Sequence, residues 1–71
     1  GVSVRVDVRN AGDQAVQDLN VEGELFGRRE ESRHRGELAP GSSVSLVLRF
    51  PSDPPRPGAH AVRLRLGYAE T

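Results

Sequence analysis

Apolar and polar residues alternate along most of the chain, and the alternation breaks at short segments rich in Gly, Pro and Asn. In the first run, VSVRVDVR, every second residue is a valine and the residues between are polar. β-Branched residues at a period of two predict a strand that is buried on one face only. The next segment, NAGDQA, predicts a turn, because Asn10 and Asp13 are able to hydrogen-bond to their own backbone.

Three later runs, VQDLNVEGELF, VSLVLRF and AHAVRLRLGY, alternate in the same way. Gly23 falls on the apolar face of its run, which predicts a bulge or a close backbone approach; Phe26 falls on the polar face. In the last run, His60 and Tyr68 share the apolar face, so both are expected to pack at the core. The segment LAPGSS predicts a type II turn with Gly41 at positive φ, and the proline-rich PSDPPRPG predicts a loop.

No window has a helical apolar period, and four such strands joined by turn-rich links predict an all-β protein. We expect a small antiparallel β-sandwich of five to seven short strands, in a single domain spanning residues 1–71. The expected core consists of apolar positions from all four runs, namely Val4, Val6, Val8, Leu19, Val21, Leu25, Leu46, Leu48, Phe50, Val62, Leu64 and Leu66.

A charged stretch separates the second and third runs. The eleven residues GRREESRHRGE contain four Arg, three Glu and no apolar side chain. A strand that is polar on both faces offers nothing to a core, but it suits a sheet edge, where charge discourages pairing with another chain. Residues 28–35 are therefore expected to form a short charged edge strand or a long solvated hairpin loop. A charged docking surface is the functional alternative.

The order of these elements resembles the bacterial CARDB-type Ig-like domain, which is related in architecture to fibronectin type III. The resemblance covers nearly the whole chain. It is carried by VRVDVRNAGDQAV, LNVEGELFG, GELAPGSSVSLVLRF and RPGAHAVRLRL, with Asn-x-Gly at Asn10 and Gly12, Leu-x-Pro-Gly at Leu38, Pro40 and Gly41, and Pro-Gly at Pro57 and Gly58. It implies strands B, C, C′, E and F of an Ig-like sandwich.

The same resemblance places strand A before Val2 and strand G after Tyr68. Because Gly1 is followed at once by a strand pattern, we expect the chain to be a fragment excised from a larger protein. If strands A and G are missing, the edges formed by SVRVDV and VRLRLG are expected to be open. Such edges would pair with another copy or be completed by a neighbouring part of the parent.

Composition and motifs limit the function classes. Ten Arg balance ten Asp plus Glu, so there is no net field to attract nucleic acid or an anionic membrane. The chain has no cysteine for a disulfide or a Cys-ligated zinc, and no apolar run approaches a membrane span of ~18 residues. His34, expected to be solvated, and His60 form no zinc signature. The pair Glu22 and Glu24 lacks a calcium-loop motif.

These observations predict no enzyme, no metal and no cofactor, since no G-x-S-x-G motif is present either. We expect a non-catalytic structural or spacer module of a larger bacterial surface, secreted or membrane-associated protein, located outside the cell or in its envelope. The alternatives are an interaction or self-association module acting through an open sheet edge, and a carbohydrate-binding accessory module.

The expected partners are neighbouring domains of the parent protein, or a second copy in a homodimer formed through edge strands. Nucleic acid and direct membrane insertion are not expected. Arg residues on the outer faces are expected to pair with Glu22, Glu24 and Asp7 or, alternatively, to meet a partner. The candidate interaction surface comprises Phe26, Val47, Arg28, Arg29, Arg33, Arg35, Arg63 and Arg65.

Overall fold

The computed structural model describes residues 1–70, which contain five β-strands and no helix. The strands are β1 (Val2–Arg9), β2 (Val16–Leu25), β3 (Arg28–Leu38), β4 (Ser43–Phe50) and β5 (Arg63–Glu70). β1 pairs with β4 in one antiparallel sheet, and β3, β2 and β5 form a second antiparallel sheet in that order. The all-β antiparallel fold expected from the alternation is confirmed.

The core lies between the two sheets, where their apolar faces meet. Its side chains are at most 6% exposed: Leu19, Val21, Leu25, Leu38, Leu46, Leu48 and Phe50. The valines of β1 pack against this cluster but are only half-buried. Leu38 was not among the expected core residues. It ends the charged stretch as a single apolar position, and it is buried because β3 continues to that residue.

β2 and β4 approach each other closely at Gly23. A Cβ added at Gly23 would lie 2.5 Å from Leu48 Cδ1 and 3.3 Å from Leu64 Cδ2, so any side chain at this position would have to displace the buried Leu48. Of the two expectations for this glycine, the close approach is right. The bulge of β2 lies elsewhere, at Asp18, where the register with β3 shifts and φ is 55°.

The turns set the registers of the two sheets. Phe26 and Gly27 connect β2 to β3 with φ of 53° and 72°, the two positive values of a type I′ turn. Between β3 and β4, Gly41 has φ of 78° and Ser42 N–H donates to Ala39 O over 3.0 Å, as expected for the type II turn.

Two aromatic residues lie where the alternation did not place them. Phe26 belongs to the turn rather than to β2, so it packs partly buried against the core instead of lying on the polar face. His60 is exposed in the loop before β5, not on the apolar face of a strand. The two rings meet edge to face with centroids 4.9 Å apart.

The charged stretch forms a strand and not a loop. β3 pairs only with β2 and is the outer strand of its sheet in the described part of the chain, as the edge-strand expectation required. Its polar side chains still alternate, since Glu30, Ser32 and His34 are half-buried while the residues between are exposed. His34 is therefore not fully solvated, which corrects that expectation.

β5 departs most from the expected core. Leu64 and Leu66 are 52% and 49% exposed, and Tyr68, also expected on the core face, is 56% exposed. Their alternation does place them on the inward face, but β5 is an edge strand and nothing within residues 1–70 covers them. Val62 precedes the strand and is half-buried.

Candidate interaction surface

One side of the sandwich is closed and the other is open. On the closed side, β3 packs against β4 across the two layers. All four outer strands have one edge without a strand partner within residues 1–70. On the other side, however, β1 and β5 do not pack against each other across the layers as β3 and β4 do. The edges that were expected to be open are therefore unpaired. We call this surface the open side; it comprises the free edges of β1 and β5 and the side chains of Val6, Val8, Leu64, Leu66 and Tyr68.

An apolar groove runs along the open side. It has a volume of about 290 Å³ and lies between Val6 and Val8 of β1 and Leu64 and Leu66 of β5, with Val21 contributing to its lining. It therefore reaches a side chain of the buried core. The groove is the space that one more strand on each sheet would cover.

A second depression continues the groove toward the turn between β1 and β2. It has a volume of about 350 Å³, shares Val8, Arg9 and Leu66 with the groove, and extends to Tyr68. The two depressions together give the open side a continuous concave surface along both strands.

Covering the exposed apolar side chains of β5 would stabilise the protein. Full burial of a large apolar side chain stabilises by roughly 1.5–3 kcal/mol, so covering the exposed half of Leu64 or Leu66 would contribute about 1 kcal/mol each. Single exposed apolar residues are ordinary on protein surfaces. A row at alternate positions of one strand, all facing inward, instead indicates a sheet face that lacks a cover.

The outer rim of β1 carries an ordered polar network. Arg5 Nε donates to Asp7 Oδ1 over 2.9 Å, and Arg5 Nη2 lies 3.1 Å from Ser45 Oγ. The Ser45 hydroxyl donates to Asp7 Oδ1 over 2.6 Å. The Ser45 hydroxyl, with the Arg5 guanidinium as a second donor, lowers the pKa of Asp7 below its ordinary value.

On the outer face of the three-stranded sheet, the ion pairs are made by arginines of β3. Arg29 Nε lies 3.0 Å from Glu22 Oε1, and Arg29 Nη2 lies 3.6 Å from Glu24 Oε2. Arg33 Nε lies 2.9 Å from Glu31 Oε1. Glu22 and Glu24 of β2 are thus both engaged by one arginine of β3.

Arg63 and Arg65 on β5 consequently have no ion-pair partner among the described residues. In the register they lie opposite Glu24 and Glu22, the carboxylates that were expected to neutralise outer-face arginines. Those carboxylates bind Arg29 instead, and among the described residues neither arginine of β5 has a carboxylate within 4.0 Å. The expected pairing holds for Arg5 with Asp7 but not for β5.

The predicted interaction residues lie on several different surfaces. Phe26 packs toward the core, whereas Val47 is 39% exposed on β4 between the inward-facing Leu46 and Leu48. These two apolar residues therefore lie on opposite sides of the β1–β4 sheet. The arginines lie on β3 and β5: Arg28, Arg29, Arg33, Arg35, Arg63 and Arg65.

The open side contains residues that the sequence prediction placed in the core. They were predicted to be buried because they alternate with polar residues. The alternation indicates which face of the strand a side chain lies on, but not whether another element covers that face. Within residues 1–70, no group of three or more His, Asp or Glu side chains is arranged to hold a metal ion. The part described also contains no helix that is long and apolar enough to cross a membrane.

Comparisons of the chain with family models, with curated proteins and with solved structures found no match.

Proposed function

We propose that this chain is a non-catalytic Ig-like module that associates with protein through its open side, within a larger bacterial surface, secreted or membrane-associated protein. The observation that supports it best is the half-exposed state of Leu64, Leu66 and Tyr68 on an inward-facing side of β5. In a closed β-sandwich the inner faces of the sheets cover one another. An uncovered inner face of this kind is typical of an interaction site.

The mode of association that fits this surface is strand addition. A strand laid along the free edge of β5 would hydrogen-bond to its unpaired backbone groups, and its alternate side chains would enter the groove between Val6 and Leu66. In such complexes the backbone hydrogen bonds contribute affinity and the side-chain pockets contribute specificity. The open side offers both features along one line.

The strand pairing supports the Ig-like part of the proposal. In Ig-like sandwiches strand B pairs with E, and strands C′, C and F are neighbours in the second sheet. The pairing of β1 with β4, and of β3, β2 and β5, has this order. Strands A and G of such a sandwich extend the sheets beyond B and F, which correspond to β1 and β5.

A selection of peptides tests the proposed function. Peptides from a random displayed library, selected on the immobilised domain, are expected to alternate apolar and polar residues. Their binding is expected to be lost in the double variant Leu64→Ser/Leu66→Ser, whose altered positions are already half-exposed, and kept in Val47→Ser as the matched control. Circular dichroism checks that both variants fold. Failure to enrich any peptide, or equal binding to the double variant, would contradict the proposal.

A structural spacer is the second candidate, and the shape of the domain favours it. The described residues extend over 43 × 17 × 14 Å, so the domain is a short rod well suited to hold neighbouring domains apart. A spacer needs no uncovered apolar face. The peptide selection therefore separates the two roles, because a pure spacer is expected to bind no peptide at β5.

A further inference from the structure

We propose that the partner on the open side is a second copy of this chain, and that β1 and β5 each pair antiparallel with their own counterpart across one two-fold axis. This inference rests on the proposed function, because it names the partner of the same surface. It is carried by charge complementarity along β1 and by a register along β5 that places no like charges directly opposite each other.

The polar face of β1 is complementary to itself in one antiparallel register. With Val6 opposite Val6 of the partner subunit, Arg5 lies opposite Asp7 of the partner subunit, and by symmetry Asp7 lies opposite Arg5 of the partner subunit. Opposite charges that face each other across an antiparallel pair are stabilising, and like charges are destabilising. Asp7 Oδ1 already accepts from Arg5 and Ser45 of its own chain, so this register adds a second guanidinium, the partner's Arg5, beside each Asp7 carboxylate.

Neighbouring registers of β1 are worse. A shift of two residues in one direction places Arg5 opposite Arg5 of the partner subunit, and the same shift in the other direction places Asp7 opposite Asp7 of the partner subunit. A shift of one residue sets the valine face of one copy against the polar face of the other. The charge pattern thus specifies the register centred on Val6.

β5 can pair antiparallel with β5 of the partner subunit in a register centred on Leu66, as β1 does in the register centred on Val6. With Leu66 opposite Leu66 of the partner subunit, Arg65 lies opposite Gly67 of the partner subunit and Arg63 lies opposite Ala69 of the partner subunit. The two arginines that have no ion pair in the described residues then lie directly opposite small residues and not directly opposite each other. On the inner face, Leu64 lies opposite Tyr68 of the partner subunit, so their exposed halves cover each other.

One axis serves both strand pairs. Val6 and Leu66 line the same groove, so one two-fold axis perpendicular to the two sheets is placed between each of these residues and its counterpart in the partner subunit. The resulting dimer has a four-stranded sheet, β4–β1–β1–β4, stacked on a six-stranded sheet, β3–β2–β5–β5–β2–β3. Such an interface is isologous and closed. The strand edges left outside belong to β4 and to the charged β3.

Charge exchange tests the dimer. Sedimentation velocity of the 71-residue chain over a wide concentration range is expected to show a monomer–dimer equilibrium. Arg5→Asp and Asp7→Arg each place like charges opposite each other and are expected to weaken the dimer by about tenfold or more. The double variant Arg5→Asp/Asp7→Arg restores opposite charges at both positions and is expected to restore the dimer. Thermal unfolding of each variant at a dilution where it is monomeric separates association from folding.

Cross-linking tests the register. The chain contains no cysteine, so an introduced one is unique. In the register centred on Val6, Ser3 lies opposite Arg9 of the partner subunit. An oxidised mixture of Ser3→Cys and Arg9→Cys chains is therefore expected to form mixed covalent dimers. A mixture of Ser45→Cys and Arg9→Cys chains is the matched control and is expected to form none, because Ser45 lies on β4 away from the open side.

The outcomes separate this inference from the proposed function. A monomer at every concentration, a dimer that survives both single charge exchanges, or a dimer that the double exchange fails to restore would overturn the homodimer. If the monomer still selects peptides that need Leu64 and Leu66, the open side binds a different protein and the proposed function stands. If it selects none, both proposals fail.

Discussion

Asn10 is a buried polar side chain that joins two turns of the sandwich. Its Nδ2 donates to Gln14 O over 2.8 Å and to Leu38 O over 3.0 Å, and its Oδ1 accepts from Gly12 N–H over 3.0 Å. Its backbone also bonds to Gly41 and Ser42 in the turn before β4. The turn role expected for this asparagine is confirmed, and the contact with Leu38 extends it to a link between β1 and the end of β3.

Asn10→Ala is expected to destabilise the domain by about 1–3 kcal/mol, because it leaves buried backbone groups without a hydrogen-bond partner. Urea unfolding followed by circular dichroism measures this change. Gln14→Ala is the control, since Gln14 contributes its backbone oxygen and not its side chain to the network. An unchanged midpoint for Asn10→Ala would show that the turns hold together without it.

Leu48→Ala and Leu64→Ala are expected to differ. Leu48 is 1% exposed, and truncation of such a buried leucine costs about 2–5 kcal/mol. Leu64 is 52% exposed, so its truncation is expected to cost about 1 kcal/mol. The measurement is denaturant unfolding at a concentration where the chain is monomeric. Equal losses would mean that the open side is covered within the monomer.

These two leucines also show how far sequence reasoning reaches at this scale. Leu48 and Leu64 have the same signature, an apolar residue between polar neighbours in an alternating run. The pattern correctly gave the inward direction of both side chains. Burial differs because it depends on what lies across the sheet, and a local period of two contains no information about that neighbour.

At the scale of elements, β3 combines a long free edge with charge. Its edge side is unpaired within residues 1–70, and most of its outer-face residues are charged. Polar side chains that also point inward discourage a foreign strand from continuing the sheet, since such a strand would find no apolar surface. The sequence predicted an edge strand or a solvated hairpin loop here from composition alone, and the strand is the alternative that forms, because a strand that is polar on both faces has no other place in a sandwich.

Removal of charge from β3 is expected to promote association through that edge. Arg35→Thr replaces a charged residue by a good strand former, and we expect faster growth of light scattering on heating than in the parent chain. Arg56→Thr, in the loop before β5, removes the same charge away from any strand and is the matched control. Equal scattering from the two variants would show that net charge, and not the edge, governs solubility.

The β2–β3 pair also has a defined pH response. The Asn20 side chain donates to Glu31 Oε2 over 2.9 Å, and Arg33 donates as well, so the pKa of Glu31 lies below its ordinary value. A carboxylate whose pKa is lowered by folding stabilises the folded state above its unfolded pKa. That contribution is lost as the pH falls through the folded pKa.

Asn20→Ala is therefore expected to raise the pKa of Glu31 toward its ordinary value, because the largest cause of the shift is removed. A carbon-detected NMR titration of the Glu31 carboxyl group measures the shift directly. Asp7, whose pKa is lowered by Ser45 and Arg5, is the internal reference and is expected not to move. A Glu31 pKa that stays unchanged would assign the effect to Arg33.

The predicted element boundaries depart furthest from the structure at β5. The alternation in AHAVRLRLGY predicted a strand from its first residue, whereas β5 begins at Arg63. The reason lies in its partner. Arg63 pairs with Glu24, and β2 ends one residue later before the turn at Phe26 and Gly27. Residues before Arg63 therefore have no strand to pair with, although their own pattern is strand-like.

At the scale of the whole molecule, the sandwich is asymmetric. Its closed side has β3 packed on β4, and its open side has free edges on β1 and β5. Through the resemblance to an Ig-like domain, the sequence implied strands B, C, C′, E and F and, if strands A and G are missing, two open edges. It did not predict that the same opening would expose the apolar residues of β5, because core membership was assigned strand by strand.

The pairing of β1 with β4 has a consequence for the time course of folding. The β2–β3 hairpin closes through a two-residue turn, and hairpins form in about 1–10 µs. β1 must instead find β4, with Val2 opposite Phe50, so its partner is formed only after two other strands have been made. Non-local pairings of this kind slow folding. During synthesis the valine stripe of β1 therefore leaves the ribosome before β4 and remains unpaired until β4 emerges, so it is exposed to other chains during that interval.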